Sequence, residues 1–275
     1  MSLRTARRVI EGRHHPLVRE LRGMVRSGDL ISGGLVLLET VRIIEDALAS
    51  DIGIAKVFIK QDAGTRARAV LERLSTETEV YEVSPSVFDL LASTETSQGL
   101  LALAQAPEWR EQDVFPGDSS LVLVVAGIQD PGNLGTIIRT AEAFGATGIL
   151  LTEGTVSPYN AKAIRATAGS LLRVPMMRDL SVDDAIALVE RHSAALFTGV
   201  VERGKPISEL LFSGRIAVAV GKEGEGLPDR LAKAGEQFTI PIASSVESLN
   251  VAAATAVVLY EIARQRQERK HGTIS

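Results

Sequence analysis

Apolar and polar positions alternate in two different rhythms along the chain, and the change falls near residue 106. Before it, short apolar runs are interleaved with amphipathic stretches. "HPLVRELRGMVRSG" places Leu17, Leu21, Met24 and Val25 at helical spacing, with Gly28 as a stop. The pattern then predicts a strand in "GLVLLET", a helix in "VRIIEDALAS", a strand in "IAKVFIK" and a helix in "TRARAVLERLS". A strand in "EVYEVS", a short helix in "PSVFDLLAST" and a strand in "QGLLALAQA" follow.

The stretch 106–120, "PEWREQDVFPGDSS" at its centre, holds two prolines, a glycine and mixed charge, and reads as a linker. From residue 121 the strands are near-continuous apolar runs: "LVLVVAGI", "TGILL", "AALFTGV", "RIAVAV" and "QFTIPI". Runs of that kind suit parallel strands covered by helices on both faces. Helices fit between them at 134–144, 160–169, 182–192, 228–234 and 249–268, with Ser181 as a cap and Asp184 three residues later. Periodicity therefore predicts two α/β domains, the second a mostly parallel sheet.

Composition narrows the chemistry. Cysteine is absent, which removes disulfides, zinc-thiolate sites and iron–sulfur clusters. The four histidines, His14, His15, His192 and His271, are too scattered for a metal motif, so no metal is expected. Neither a signal-peptide core nor a membrane-length apolar run is present, which predicts a cytoplasmic protein with no membrane partner. Net charge is −4, yet residues 1–26 carry seven arginines, among them Arg7, Arg8, Arg13 and Arg19, and the C-terminal "ARQRQERKHG" is also net positive. Local basic patches suit phosphate binding; the same arginines also suit a solvated helix face and a frayed tail.

Ligands of open parallel sheets sit at the carboxyl ends of strands. Three strand-end loops of the second half are rich in glycine and polar residues: "IQDPGNLGTIIR" (128–139), "VGKEGEGLPDR" (220–230) and "IPIASSVESLNVAAA" (240–254). "GNLG" lacks the opening of a dinucleotide fingerprint, and Glu223 follows Gly-Lys where a P-loop needs Ser or Thr. Three such loops together still suggest a composite site. Asn133 falls at or near a helix N-cap, Arg139 lies about one and a half turns later, and Glu223 sits in the glycine loop. Ser248 and Asn250 open a long helix, and Ser248 reads equally well as its plain cap.

"NLGTIIRTAEAFGATGILL", "VGKEGEGLP" and "IPIASSVESLNVAAATAVVLYEIARQR" resemble, in order and spacing, the three signature motifs of the SpoU (TrmH-type) RNA 2′-O-methyltransferases of the SPOUT superfamily. "SPYNAKAIRATAGSLLRVP" (157–175) matches the same family, although Ala252 stands where its third motif often has serine. "HPLVRELR" and "ETSQGLLAL" resemble the L30e-like RNA-binding domain that precedes the catalytic domain in several rRNA-modifying members. The resemblance implies an L30e-like α/β domain over 1–105, a linker over 106–120 and a SPOUT domain over 121–275 with a deep C-terminal trefoil knot. Threaded chains are rare, so periodicity alone would have led to an ordinary doubly wound sheet.

What the resemblance implies about function is specific. It implies S-adenosylmethionine as cofactor, contacted by Thr198, Gly199, Gly221, Ile240 and Leu249. It makes Arg139 the principal catalytic residue, with Asn133, Glu223, Ser248 and Asn250 around it, in methyl transfer to a ribose 2′-hydroxyl of structured RNA, 23S rRNA above all. A tRNA target and a non-catalytic RNA-binding or ribosome-assembly protein are the alternatives. Arg7, Arg8, Arg13, Arg19, Lys162, Arg165 and Arg266 are RNA-contact candidates, the last three sharing with Asn160 and Arg264 an equally good reading as helix-surface polar groups. A homodimer through the C-terminal domain is also implied.

Overall fold

The computed structural model describes residues 8–31, 33–93, 97–243, 247–270 and 272. Its contacts divide the chain into two compact units, one of 1–108 with 157–173 and one of 109–156 with 174–275.

The first unit runs β1 (Arg8–Ile10), α1 (Pro16–Ser27), β2 (Leu35–Leu38), α2 (Val41–Ala49), β3 (Ile54–Lys60), α3 (Thr65–Val70), β4 (Glu79–Val83), α4 (Pro85–Phe88) and β5 (Leu100–Gln105). The sheet order is β1-β4-β3-β5-β2; β1 and β3 flank β4 in parallel, and β5 runs antiparallel to β3 and β2. Helix α1 buries Val18, Leu21 and Met24 against Phe58, Tyr81 and Leu101. It stops where expected: Gly28 adopts φ +62° and its N–H donates to the Met24 carbonyl at 2.8 Å. A side chain there would also meet Asn160 Nδ2 at 2.9 Å.

The second unit opens with α5 (Glu111–Val114) inside the stretch that composition marks as a linker. Its Val114 and the following Phe115 are buried in the unit's core, and Gly148 is obligatory there because a Cβ would lie 2.5 Å from Val114 Cγ1. Then come β6 (Leu121–Val125), α6 (Pro131–Ala143) and β7 (Gly148–Thr152), and, after the excursion carrying α7 (Ala161–Thr167), β8 (Met176–Leu180) and α8 (Val182–Arg191). The chain closes with β9 (Ala195–Gly199), β10 (Lys205–Pro206), β11 (Ile216–Val220), α9 (Asp229–Ala232), β12 (Glu236–Thr239) and α10 (Val251–Lys270).

These seven strands form one sheet, order β10-β12-β9-β11-β6-β7-β8, parallel at every pairing. Successive side chains of a strand face opposite ways. Leu121, Leu123 and Val125 of β6 pack with α6 and α10, while Val122 and Val124 pack with α8 and α9. Both faces are covered, which is why the strands read as unbroken apolar runs. Strands β1, β8 and β10 are not legible as strands in sequence. β8 is an edge strand with an irregular register to β7, and β10 is two residues long and ends in Pro206. Ser181 caps α8 as expected, accepting from the Asp184 N–H at 3.0 Å.

Candidate active site

Strands β6 and β11 are neighbours, and the chain leaves them toward opposite sides of the sheet. Such a divergence at carboxyl ends opens a crevice. The two departing loops start together, with the Ala126 N–H donating to the Val220 carbonyl at 2.9 Å.

Helix α6 begins one turn earlier than its apolar periodicity suggests. Its cap is Asp130, whose Oδ1 accepts from the Asn133 N–H at 2.9 Å, and Pro131 occupies the first turn, where its missing N–H costs nothing. Asn133 is therefore not the cap. Its side chain is free to leave the helix, and its Nδ2 donates to Glu223 Oε1 at 3.0 Å.

The loop after β11 is a glycine hairpin. Lys222 and Gly226 exchange backbone hydrogen bonds at 3.0 and 2.8 Å, and Gly224 and Gly226 take φ of +79° and +74°. At Gly221 a Cβ would lie 2.3 Å from the Gly226 carbonyl oxygen, so this glycine is set by the closure of the hairpin itself. The hairpin lifts Glu223 clear of the sheet. Its Oε1 accepts from Asn133 Nδ2, from Asn250 Nδ2 and, at 3.2 Å, from the Val251 N–H.

Asn250 is the cap of α10, its Oδ1 accepting from the Ala252 and Ala253 N–H groups at 3.0 and 3.3 Å. Its Nδ2 also donates to Asn133 Oδ1 at 3.2 Å. One carboxylate oxygen thus ties together the starts of two helices that are 117 residues apart in sequence. Ser248 lies outside α10, exposed and without a hydrogen bond among the described residues, so it is not the cap. Arg139, on α6, is exposed and has no hydrogen-bond or ion-pair partner among the described residues.

The candidate cofactor residues sit at the carboxyl ends of three adjacent strands: Thr198 and Gly199 at β9, Gly221 after β11 and Ile240 after β12. Thr198 is buried, with its hydroxyl donating to the Ala232 carbonyl at 3.0 Å. Gly199 has little room, since a Cβ would meet the Ala219 carbonyl and the Phe238 ring at 3.3 Å. Ile240 packs on the core, whereas Leu249 and Ile242 expose apolar side chains, at 36% and 38%. Ile242 was not singled out in sequence.

The basic candidates divide sharply. Arg7 lies outside the described residues. Arg8 pairs with Glu79 and lies over the Tyr81 ring, whose hydroxyl it bonds. Arg13, Arg19 and Lys162 are exposed. Asn160 caps α7, accepting from the Lys162 N–H at 2.9 Å. Arg165 turns inward to Ser93 Oγ at 2.6 Å and Glu39 Oε2 at 3.4 Å. Arg266 donates to the carbonyls of Ser119, Ser120 and Gly214 at 2.8, 3.3 and 3.0 Å, and burial lowers its pKa from the usual arginine value. Arg264 is held by Glu261 and Glu268, which raise its pKa. Among the described residues no group of three or more acids or histidines is placed to hold a metal ion, and no helix is long and apolar enough to cross a membrane.

Residues 31–102 match the MRM3-like substrate binding domain. An uncharacterised tRNA/rRNA methyltransferase of Synechocystis sp. is 34% identical, over 94% of each chain. The 23S rRNA (guanosine(2553)-2′-O)-methyltransferase RlmP of Bacillus subtilis is 32% identical, over 82% of this chain and 87% of its own. An AdoMet-bound rRNA methyltransferase from Sinorhizobium meliloti superposes with a TM-score of 0.83 at 26% identity, covering 94% of this chain and 98% of that one. Residues 120–260, which span β6 to α10 and hold Asn133, Arg139, Glu223 and Asn250, match the SpoU rRNA Methylase family, and the chain belongs to that family.

Proposed function

We propose that this protein transfers a methyl group from S-adenosylmethionine to a ribose 2′-hydroxyl of ribosomal RNA, with 23S rRNA as the target. The observation that carries the reading is the Asn133–Glu223–Asn250 junction, which fixes α6 while leaving Arg139 exposed and, among the described residues, unpaired.

The residues fit the cofactor. The ends of β9, β11 and β12 offer close backbone at Gly199 and Gly221, and Ile242 and Leu249 leave apolar surface for an adenine ring. When bound, S-adenosylmethionine supplies a sulfonium methyl that is already electrophilic. The chain's own task is alignment, which can supply roughly 7–11 kcal/mol in favourable intramolecular cases.

Arg139 presents a planar guanidinium fork that matches phosphate geometry. Its fork holds an RNA phosphate and donates to the 2′-oxygen as negative charge develops there, in the manner of an oxyanion donor, while the hydroxyl proton passes to the solvent that reaches this exposed site. Glu223 Oε1 already serves three donors, so Glu223 acts by holding the two helix starts in register. Asn133 and Asn250 complete that frame, and Ser248 lines the ribose side.

Residues 1–105 form the RNA-substrate unit in this reading, with Arg13, Arg19 and Lys162 on the RNA face; Arg165 and Arg266 are left out because their guanidinium groups are engaged within the protein. The chain closes in a trefoil knot through α10, and α10 also forms a homodimer, supported by exposed Val257 and Tyr260 at 41% and 57%. A clean monomer by light scattering contradicts the dimer.

Mapping 2′-O-methyl sites in rRNA and tRNA from cells with and without the gene tests the reaction. One rRNA site is expected to disappear with the gene. A lost tRNA site instead changes the substrate, and an unchanged map in both RNAs sinks the reading.

A further inference from the structure

A cavity of about 230 Å3 lies between α2 and α7, within the first unit. Its apolar wall includes Ile43 and Ile164, and its polar groups include Glu39, Arg42, Asp46 and Arg165. Glu39 is only 7% exposed. Its Oε2 accepts from Ser93 and from Arg165, but its Oε1 is buried with no hydrogen-bond partner among the described residues. The Arg165 contact, at 3.4 Å, is longer than a good N–H···O bond, while Arg165 bonds Ser93 at 2.6 Å.

A buried acceptor left without a donor is unfavourable, and a carboxylate can only accept. Oε1 therefore calls for an N–H donor that the described residues do not supply. Arg42, three residues on in the first turn of α2, is exposed and has no partner among the described residues. A ligand suited to both carries an N–H donor and a phosphate.

We propose that this cavity takes one unstacked, amino-bearing base of the RNA substrate, its edge toward Glu39 and its phosphate against Arg42. The proposal rests on the RNA reading above. Single-stranded RNA is read by splaying bases out and hydrogen-bonding their edges. The volume lies below the roughly 300–1,000 Å3 of drug-sized pockets, and suits one base. Uracil fits worst, because its one edge donor is flanked by two carbonyl oxygens that repel a carboxylate. Cytosine, adenine and guanine each present an amino group.

The test uses the full-length protein titrated calorimetrically with CMP, AMP, GMP and UMP, and with uridine pentamers carrying or lacking one central cytidine. The three amino-bearing nucleotides are expected to bind about tenfold tighter than UMP, a difference of about 1.4 kcal/mol. The cytidine pentamer is expected to displace CMP. Arg42→Ala weakens all four nucleotides severalfold, and Glu39→Gln removes the preference against UMP. If Glu39→Gln does not fold by circular dichroism, the exposed Arg42→Ala decides alone. Equal binding of the four nucleotides, failure of RNA to compete, or full retention of binding in Arg42→Ala overturns the proposal. An unchanged methylation map with base preference intact overturns the reaction and leaves the cavity standing; a normal map without base preference does the reverse.

Discussion

Arg139 and Arg266 are both arginines on helices of the second unit, and they do opposite things. Arg139 is exposed on α6 and unpaired among the described residues, in the helix whose first turn is locked by Glu223. Arg266 spends its guanidinium on three backbone carbonyls, and burial disfavours its charge enough to lower its pKa. The two ends of α10 repeat the contrast. At its start Asn250 and Glu223 build a polar junction open to solvent; near its end buried Gln265 bonds the Phe212 N–H and the Leu210 carbonyl at 3.0 Å each. A polar group whose bonds are spent within the chain holds the fold. One held nearby but left unspent is available to a substrate.

The largest effect that would sharpen this contrast is on Arg139. Arg139→Ala is expected to lower methyl transfer by about 10²–10³-fold, as for loss of one oxyanion donor, with thermal unfolding unchanged. A fully active variant on the true RNA breaks the assignment. Arg266→Ala is expected to do the reverse. It leaves three carbonyls without their charged donor and lowers unfolding free energy by about 1–3 kcal/mol in urea titration, while the salt dependence of RNA binding stays put. A shallower salt slope with unchanged stability would return Arg266 to the RNA surface.

Asn250→Ala sits between these extremes. Loss of the α10 cap costs about 1 kcal/mol, and removal of the Glu223 bond loosens the frame, so a severalfold fall in methyl transfer accompanies the lost stability. A rate unchanged despite the lost cap would separate the junction from catalysis. The smallest effect is a pH dependence. The hydrogen bond from Arg264 holds the Glu261 carboxyl below its usual range. A carboxyl with a lowered folded-state pKa contributes stability above its unfolded pKa of about 4.3, and loses it as pH falls through the folded value. Glu261→Gln is therefore expected to lower stability slightly at neutral pH and to change it little below the folded value, so that the acid limb flattens; an unchanged acid limb would show that this bridge adds nothing.

Much of the second unit was legible because its signals are local. Five of its strands announce themselves as apolar runs, and Ser181–Asp184 announces α8. The exceptions are equally physical. β8 and β10 lie near or at the sheet's edges, where one side lacks a strand partner and little apolar sequence is required. The start of α6 was misread because Asn133 is a good capping residue by type, and only the observed bond shows Asp130 taking that role. Ser248 is a capping residue by type as well, and of its two readings the cap goes instead to Asn250, two residues later.

By itself, the sequence determined the α/β class, the positions of most helices and strands, and the three loops that gather the polar residues of the site. These follow from side-chain periodicity and turn chemistry, which act over a few residues. Tertiary structure alone decided which polar groups are spent. Glu223 meets Asn133 across 90 residues, Arg266 reaches Ser119 across 147, and Arg165 finds Ser93 across 72. Hydrogen bonds act over about 3 Å of space, whatever their separation along the chain, so the availability of a charge for RNA is settled only when the chain has folded.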